Sequence, residues 1–501
     1  MPTLDRPRQP AGLREGGQFT ATTRAEADLT LTAADRVRAD RLLELTPATV
    51  VVLEAIRAAG GNAYLVGGCV RDRLLGHPAK DIDIEAYGLE PDRLRKVLSR
   101  VARVEEVGAA FSVLTVSRDG ERLDVALPRR ERRTGPGHRD FAVEVDPFCD
   151  VREASARRDF TVNALLYDPA ADEIVDCWGG LGDLRDGVLR HTGPAFAEDP
   201  LRVLRGARFA ARLGMRMHPA TVDLARDLVP EFGSLSRERI WGEWSTMAAT
   251  ATRPSAWLDT LEQTGWLAHF PALADLRGVG QDDRWHPEGD VFEHTRQAAD
   301  TAATLAEQHD LSGRDRAVVV LAAMLHDVGK ATHTQQHPDG RITSHGHDTA
   351  GASTAATFLS DIGAPKEVRD LVAPIVAEHM VTAHGTAPTR QAVRRLARRL
   401  APASIEQWAL VVEADKRGRG AAARAGTTTA WLDIARAEGT QAAPVRRILT
   451  GADLIAAGWS PGPHFGPVLA ASVSAQDESR FEDPAGARAW LASTYPTEPA
   501  G

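Results

Sequence analysis

The chain has 501 residues, 43% hydrophobic and 26% charged, with a formal net charge of -9, so about two to four globular domains are expected. No apolar run reaches the roughly 18 residues that would span a membrane. Three cysteines without a C-x-x-C pair argue against a disulfide framework and for a reducing, cytoplasmic setting. The acidic balance does not advertise a nucleic-acid ligand, although two basic runs, Arg129–Arg139 and Arg390–Leu400, break it locally. In the second run Val393, Leu396 and Leu400 fall at helical spacing, and a solvated face is as reasonable there as RNA contact.

Residues 1–44 are rich in Pro, Gly, Arg and Thr, show no apolar period, and read as a flexible tail. Val50, Val51, Leu53, Ile56 and Ala59 then mark one face of a helix ended by Gly60-Gly61. The apolar strand AYLVGG runs into a glycine turn and a helix, VRDRLLG. DIDIEAYG alternates Asp81, Asp83 and Glu85 with Ile82, Ile84 and Ala86 and reads as a strand. FSVLTVSR and ERLDVALP, either side of Asp119-Gly120, add two more strands to a small mixed α/β unit.

From about Asp183 the pattern turns helical: LRVLRGARFAARLG, ATVDLARDLVPEF, SRERIWGEWSTMAA and PSAWLDTLEQTG all repeat near 3.6 residues. The loop RGVGQDDRWHPEGD marks a boundary near residue 280, and a second helical block runs from Phe292 to about Gly420. LTGADLIAAGWSPGPHFGPVL has the look of a short helical module with a Pro-Gly-Pro turn. The expected class is α+β, divided into a tail at 1–44, an α/β head at 45–170, a helical neck and body at 171–280, a second helical domain at 281–425 and a C-terminal helical module at 426–501.

The first chemical constellation lies in the head. Gly67 and Gly68 follow a strand, where glycines let a ligand approach the backbone and their N–H groups can cradle phosphates. Arg71 and Asp72 sit on the helix that follows. Asp81 and Asp83, two apart on a strand, present carboxylates to one face. Such a pair repels unless a cation lies between, and Mg2+ with triphosphate oxygens suits the place. Asp124, in LDVA, is the candidate third carboxylate. The set suits in-line phosphoryl transfer, with activation of a 3′-hydroxyl on one side and neutralisation of departing pyrophosphate on the other.

Taken together, LVGGCVRD, LLG and KDIDIEAYG resemble the head of the class II CCA-adding enzymes and bacterial poly(A) polymerases, in the polymerase-β-like nucleotidyltransferase superfamily. The resemblance continues through Ala126-Leu127-Pro128-Arg129, ARRDFTVNAL and FAEDPLRVLRGARFAARLG, covering roughly residues 48–270. It implies that Asp159 contacts the ribose and rejects deoxynucleotides, and that Arg158 serves the triphosphate or the base. Asn163, Arg205 and Arg208 join the implied nucleotide site, and Glu198, Asp199 and Arg202 match the base-reading motif. The chemistry of that motif is sensible. EDPLR opens a helix on which Asp199 and Arg202, three apart, share a face. A carboxylate accepts from an exocyclic amino group and a guanidinium donates to ring nitrogen or carbonyl, a pairing that suits C and A and mismatches U and G. A plain surface ion pair is the bland alternative.

The second constellation comprises His294 (FEHT), His326 and Asp327 (MLHDVGK), His347 (SHGHD), His379 (AEHM) and Asp415 (EADKRGR). HDVGK with an upstream His and a distant Asp resembles the HD phosphohydrolase superfamily over roughly residues 285–420. That implies a divalent metal (Mg2+, Mn2+, Ni2+ or Co2+) activating water against a phosphoester, with His347 and His379 completing a two-metal site. Lys330 would face a phosphate, whereas His333 and His345 read as ordinary polar residues. Head, neck and HD block in this order, with WHPEGD before the last, resemble the multifunctional CCA enzymes, whose HD domain hydrolyses 2′,3′-cyclic phosphates and 2′-phosphates. The tail and GADLIAAGWSPGP depart from them.

The expected function is template-independent CCA addition to tRNA from CTP and ATP, with Mg2+ at Asp81 and Asp83, beside an HD phosphohydrolase. Relatives that add only adenylate share most of these motifs. A reading from another class, an HD phosphohydrolase whose head binds nucleotide without polymerising, is opposed by the intact Asp81, Asp83, Arg158 and Asp199.

Overall fold

The first described helix, Pro47–Ala58, shows how closely local chemistry sets the elements. Thr46 Oγ1 caps it by accepting from Thr49 N–H at 3.1 Å, and Pro47 occupies the first turn. It buries Val52, Leu53 and Ile56 and ends at Gly60, whose φ of +88° is costly for any residue with a Cβ. The next glycine is needed for space, since a Cβ on Gly61 would stand 2.9 Å from Tyr87 O. The computed structural model describes residues 35–39, 42–78, 82–107, 113–133, 141–383, 387–419 and 428–497. They fall into two units: one runs to Leu184 and adds His191–Phe196, and the other comprises Arg185–Arg190 and everything from Ala197.

The first unit is built on a sheet. Its strands are β1 (Arg36–Arg38), β2 (Asn62–Val66), β3 (Asp83–Tyr87), β4 (Arg103–Val107), β5 (Val113–Arg118) and β6 (Glu121–Ala126). After a separate hairpin of β7 (Arg129–Arg133) and β8 (Phe141–Val145) come β9 (Leu166–Asp168) and β10 (Glu173–Val175). The eight-stranded order is β1-β10-β9-β2-β3-β6-β5-β4, and β3 and β6 are parallel.

Three features differ from the sequence expectation. Residue 170 falls in the turn between β9 and β10, so the head's sheet continues to Val175. Within the expected tail, Arg36–Arg38 forms an edge strand on β10, with Arg36 Nη1 3.0 Å from Glu173 Oε2. A helix over Pro91–Leu98 and the strand β4 follow where the sequence reading named no element. Residues 1–34 of the tail and Asp81 lie outside the described residues, as do the side chains of the first basic run beyond Arg129.

The second unit is helical apart from two short strand pairs. Leu201–Leu213 ends at Gly214, in the left-handed conformation with φ +68°. Arg237–Thr250 is capped by Ser236 and Pro254–Gln263 follows. Trp244, Trp257 and Phe270 are fully buried and meet edge to face at centroid distances of 4.8 and 5.1 Å. Downstream, Val291–Gln308, Gly313–Leu325, His347–Asp361, Lys366–Glu378, Arg390–Leu400 and Ile405–Arg417 surround the HDVGK turn.

The C-terminal segment has its own apolar core of Leu449, Leu454, Trp459, Val468, Phe481 and Leu491. The second basic run attaches to this segment. Arg394 pairs with Glu438 at 2.6 Å, Arg395 with Glu478 at 3.2 Å and Arg398 with Asp477 at 2.9 Å. Arg399 takes Glu378 at 2.7 Å. Internal acids therefore partner the charge for which the sequence left a solvated face and RNA contact equally open. No helix among the described residues is long and apolar enough to cross a membrane.

Candidate functional site

In the head, β2 ends at Val66 and the chain turns through Gly67, with φ +75°, into the helix Gly68–Leu74. A Cβ on Gly67 would lie 3.0 Å from Arg158 Nη1, so the bare backbone and the guanidinium share one small space. Asp83 opens β3 and stands in parallel register with Asp124 of β6. Residues in register on neighbouring parallel strands face the same side about 4.8 Å apart, and both carboxylates are exposed. Thr115 Oγ1 donates to Asp124 Oδ1 at 2.8 Å and fixes its rotamer. Two adjacent, solvent-facing carboxylates beside a glycine turn fit a hard divalent cation with phosphate oxygens.

Around this pair the other named residues form buried scaffolding. Arg71 is 3% exposed. Its Nε donates to Asp72 Oδ1 at 2.8 Å and its Nη1 to Asn163 Oδ1 at 2.5 Å. Asn163 Nδ2 in turn donates to Asp159 Oδ1 at 2.9 Å, the oxygen that also accepts from Phe160 N–H at 2.8 Å. Sequence reasoning missed Glu85. It follows Asp83 on the same strand face but is buried, accepts from Tyr87 Oη–H at 2.9 Å and lies 3.7 Å from Arg158 Nη2. It is placed to hold Arg158 beside the glycine turn.

In the second unit Glu198 closes a short 3-10 turn, and Asp199 precedes the helix, which begins at Leu201 behind Pro200. Asp199 Oδ1 accepts from Leu201 N–H at 3.2 Å, while Oδ2 is 2.7 Å from Arg239 Nη2. The expectation that Asp199 shares a helix face with Arg202 is therefore corrected: Asp199 lies two positions before the first residue of the helix, and its ion partner comes from Arg237–Thr250. Arg202 keeps a local tie, its N–H donating to Asp199 O at 3.0 Å. Arg208, buried, donates from Nε to Glu243 at 2.6 Å, and Arg205 stands 4.0 Å from the same carboxylate.

The HD residues converge from five segments. His294 comes from Val291–Gln308, His326 and Asp327 from the end of Gly313–Leu325, and His347 from the first position of its helix. His379 follows Lys366–Glu378, and Asp415 lies on Ile405–Arg417. All six are at most 5% exposed. Gly329 permits the convergence, because a Cβ there would stand 2.0 Å from His347 O.

Hydrogen bonds fix the tautomers. His326 Nδ1 lies 2.7 Å from Ala323 O, His347 Nδ1 2.6 Å from Ser344 O, and His379 Nδ1 2.6 Å from Val376 O. A carbonyl can only accept, so each Nδ1 carries a proton, and in the neutral ring each Nε2 is then a lone pair. His294 Nδ1 faces Glu288 Oε1 at 2.6 Å. The Nε2 atoms of His294 and His326 are then 3.3 Å apart, and those of His347 and His379 3.1 Å. In neutral rings such facing lone pairs repel, and a divalent cation would be held by them as ligands.

Asp327 belongs to both groups, with Oδ1 3.2 Å from His347 Nε2 and Oδ2 3.2 Å from His326 Nε2, so it can bridge two ions. Asp415 Oδ1 is 3.1 Å from His294 Nε2. Burial opposes the charge on Asp327 and Asp415. Neighbouring His326 and Lys330 for the first, and Arg419 for the second, nevertheless hold both well below the usual carboxylate range. Burial also pulls His294 down, but Asp415 and Glu288 outweigh it and raise its pKa, so proton and metal compete for Nε2. The sequence reading quoted WHPEGD without assigning its members. Glu288 proves to be the carboxylate beside His294, with Oε1 2.6 Å from its Nδ1, and the same oxygen accepts from His286 Nδ1 at 2.9 Å. Lys330 Nζ reaches Asp327 Oδ2 at 2.7 Å and Gln281 Oε1 at 2.8 Å. Gln281, His286, Lys330, Asp327, His347, His379 and Asp415 line a cavity of about 290 Å3 that also takes in Arg419, His345 and Trp285.

Residues 63–190 match the poly A polymerase head domain and residues 291–419 the HD domain. The chain is 40% identical over 368 residues to the multifunctional CCA protein of Xanthomonas campestris pv. campestris (strain B100), covering 71% of this chain and 85% of that protein. It is 37% identical over 372 residues to that of Xylella fastidiosa (strain 9a5c), covering 72% and 84%. Its fold is similar to that of the Bacillus stearothermophilus CCA-adding enzyme in complex with CTP, with a TM-score of 0.61 and 21% identity over 90% of this chain and 98% of that one. With two fifths of aligned residues identical across most of these relatives' length, the chain belongs to the family of the multifunctional CCA proteins.

Proposed function

We propose that the chain adds CCA to the 3′ end of tRNA from CTP and ATP in its head, and that its HD centre hydrolyses 2′,3′-cyclic phosphates and 2′-phosphates, both in the cytoplasm. The observation that carries the first activity is the in-register pair Asp83 and Asp124 beside the Gly67 turn and Arg158. In the reaction a primer 3′-oxygen forms a bond to the α-phosphorus of the incoming nucleotide, and the bond to pyrophosphate breaks. Asp83, with Asp81, would hold Mg2+, which would supply charge neutralisation and lower the pKa of the primer hydroxyl. Asp124, held by Thr115, accepts the hydroxyl proton or orients it. Arg158, braced by Glu85, donates to triphosphate oxygens, and the Gly67 turn lets them approach the backbone. Asp159 orients the ribose from its network with Asn163 and Arg71. Asp199, tethered to Arg239, is the acceptor for the amino group of C or A, with Arg202 as donor.

The second activity rests on the four facing imidazole nitrogens, which suit Mg2+, Mn2+, Ni2+ or Co2+. The test is to offer tRNA ending at the discriminator base, after the first C and after the second, with each labelled nucleotide in turn. Successive C, C and A additions are expected. Incorporation of A alone, on a tRNA already ending in CC, would replace this reading with that of an adenylate-only enzyme.

A further inference from the structure

Four large apolar side chains are exposed among the described residues, and Trp285, at 68%, is the most open of them. It lines the cavity that holds Asp327, His347, His379 and Asp415. Its backbone is pinned on both sides. Trp285 N–H and His286 N–H donate to Asp282 O at 2.9 and 3.0 Å, and His286 is buried against Glu288. The indole therefore stands in solvent on a segment whose next residues orient a metal-ligating histidine. Below it lie two cations beside the ligand carboxylates: Lys330 Nζ is 2.7 Å from Asp327 and Arg419 Nη2 is 2.7 Å from Asp415. From floor to mouth the cavity thus offers metal ligands, groups that attract phosphate oxygens, and a flat π-face.

We propose that Trp285 is a base-stacking platform, which makes the HD centre selective for phosphoesters carried on a nucleoside over those on a bare sugar or alkyl group. The inference rests on the phosphohydrolase reading of that centre. An indole exposed to water loses the benefit of burial unless a ligand restores it, and stacking accepts any base because every base has a π-face. Selectivity is therefore for the presence of a base rather than its identity. In a tRNA or a nucleotide the ribose would lie over the ligands with its 2′-oxygen inward and its base outward on the indole.

The test compares steady-state hydrolysis of adenosine and uridine 2′,3′-cyclic phosphates with that of methyl riboside 2,3-cyclic phosphate, which lacks a base. Wild type, Trp285→Ala and Trp285→Phe are measured as full-length, metal-loaded protein. Wild type should prefer both nucleoside substrates. In Trp285→Ala the kcat/KM ratio of nucleoside over methyl riboside should fall about tenfold or more, the loss appearing in KM, and Trp285→Phe should recover most of it. An equal loss on all three substrates, with lowered kcat and metal content, would mean that Trp285 only shapes the loop. A changed oligomeric state with unchanged ratios would mean that it packs against another chain. Either result overturns the inference while leaving the phosphohydrolase reading intact. Absence of hydrolysis of every substrate by wild type would instead defeat the phosphohydrolase reading, and the inference with it.

Discussion

Replacing Glu288 by Gln should weaken divalent-metal binding at the HD centre roughly ten- to a hundredfold, the usual cost of losing an outer-sphere partner of a ligating histidine. The size follows from what the carboxylate does. Glu288 Oε1 lies 2.6 Å from His294 Nδ1 and accepts from His286 Nδ1 at 2.9 Å, so one carboxylate stands against two imidazoles. Burial would raise the Glu288 pKa, but hydrogen bonds from His294, its own backbone and His286 bring it to about 2. The group therefore stays ionised throughout the working pH range. Glutamine supplies one neutral oxygen, and its amide N–H groups oppose Nδ1–H. His294 can then turn to the other tautomer and donate Nε2–H to Asp415, 3.1 Å away, which removes the lone pair the metal needs. A loss of one to two decades corresponds to about 1.4–2.8 kcal/mol, within the range of a charge-assisted hydrogen bond. Calorimetric titration of the metal-free protein with Mn2+ or Ni2+ reads the change. Thermal unfolding in chelator checks that the fold survives. Metal affinity within about twofold of wild type would refute the tautomer argument.

Three other outcomes follow from the same geometry. Asp83→Ala should abolish nucleotide addition while cyclic-phosphate hydrolysis persists; substantial residual addition in a gel-based primer assay would remove Asp83 from the metal site. Asp199→Ala should relax discrimination of CTP and ATP against UTP and GTP by about 1–3 kcal/mol, and Arg239→Ala should follow in the same direction, since it frees the Asp199 carboxylate; unchanged kcat/KM ratios in both variants would reduce the pair to a brace between helices. Arg398→Ala leaves the Asp477 carboxylate, 2% exposed, without its guanidinium 2.9 Å away, so unfolding free energy should drop by about 3–5 kcal/mol with tRNA affinity retained; a selective loss of tRNA binding at unchanged stability would restore the basic helix as an RNA contact.

What could be read in advance divides according to distance along the chain. The strand–glycine turn–helix at Leu65–Leu74 and the alternation around Asp83 are periodic within a few residues, so one stretch of sequence contains their whole cause. β1 and β10 have three residues each and pair across more than a hundred positions, leaving no local period to detect. The Asp199 partner is 40 residues away in Arg239. The acids that neutralise the basic helix, Glu438, Asp477 and Glu478, lie 44, 79 and 83 residues from Arg394, Arg398 and Arg395. Charge runs mislead for this reason: sequence displays the charge, and only the fold supplies its counterion.

The metal centre adds a finer case. His326, His347 and His379 each donate Nδ1–H to the carbonyl three residues before, at Ala323, Ser344 and Val376. That spacing is local, and it works because each histidine sits at a helix boundary, where the carbonyl is not fully committed to the helix ladder. The Nδ1 partner of each of these three histidines is thus encoded three residues upstream by backbone alone, with no side chain for a motif to register. His294 lies inside the first turn of its helix, and the group beside its Nδ1 is a carboxylate from outside the helix, Glu288 Oε1 at 2.6 Å. For that histidine, the Glu of WHPEGD belongs to the same cluster of groups that could hold a metal ion.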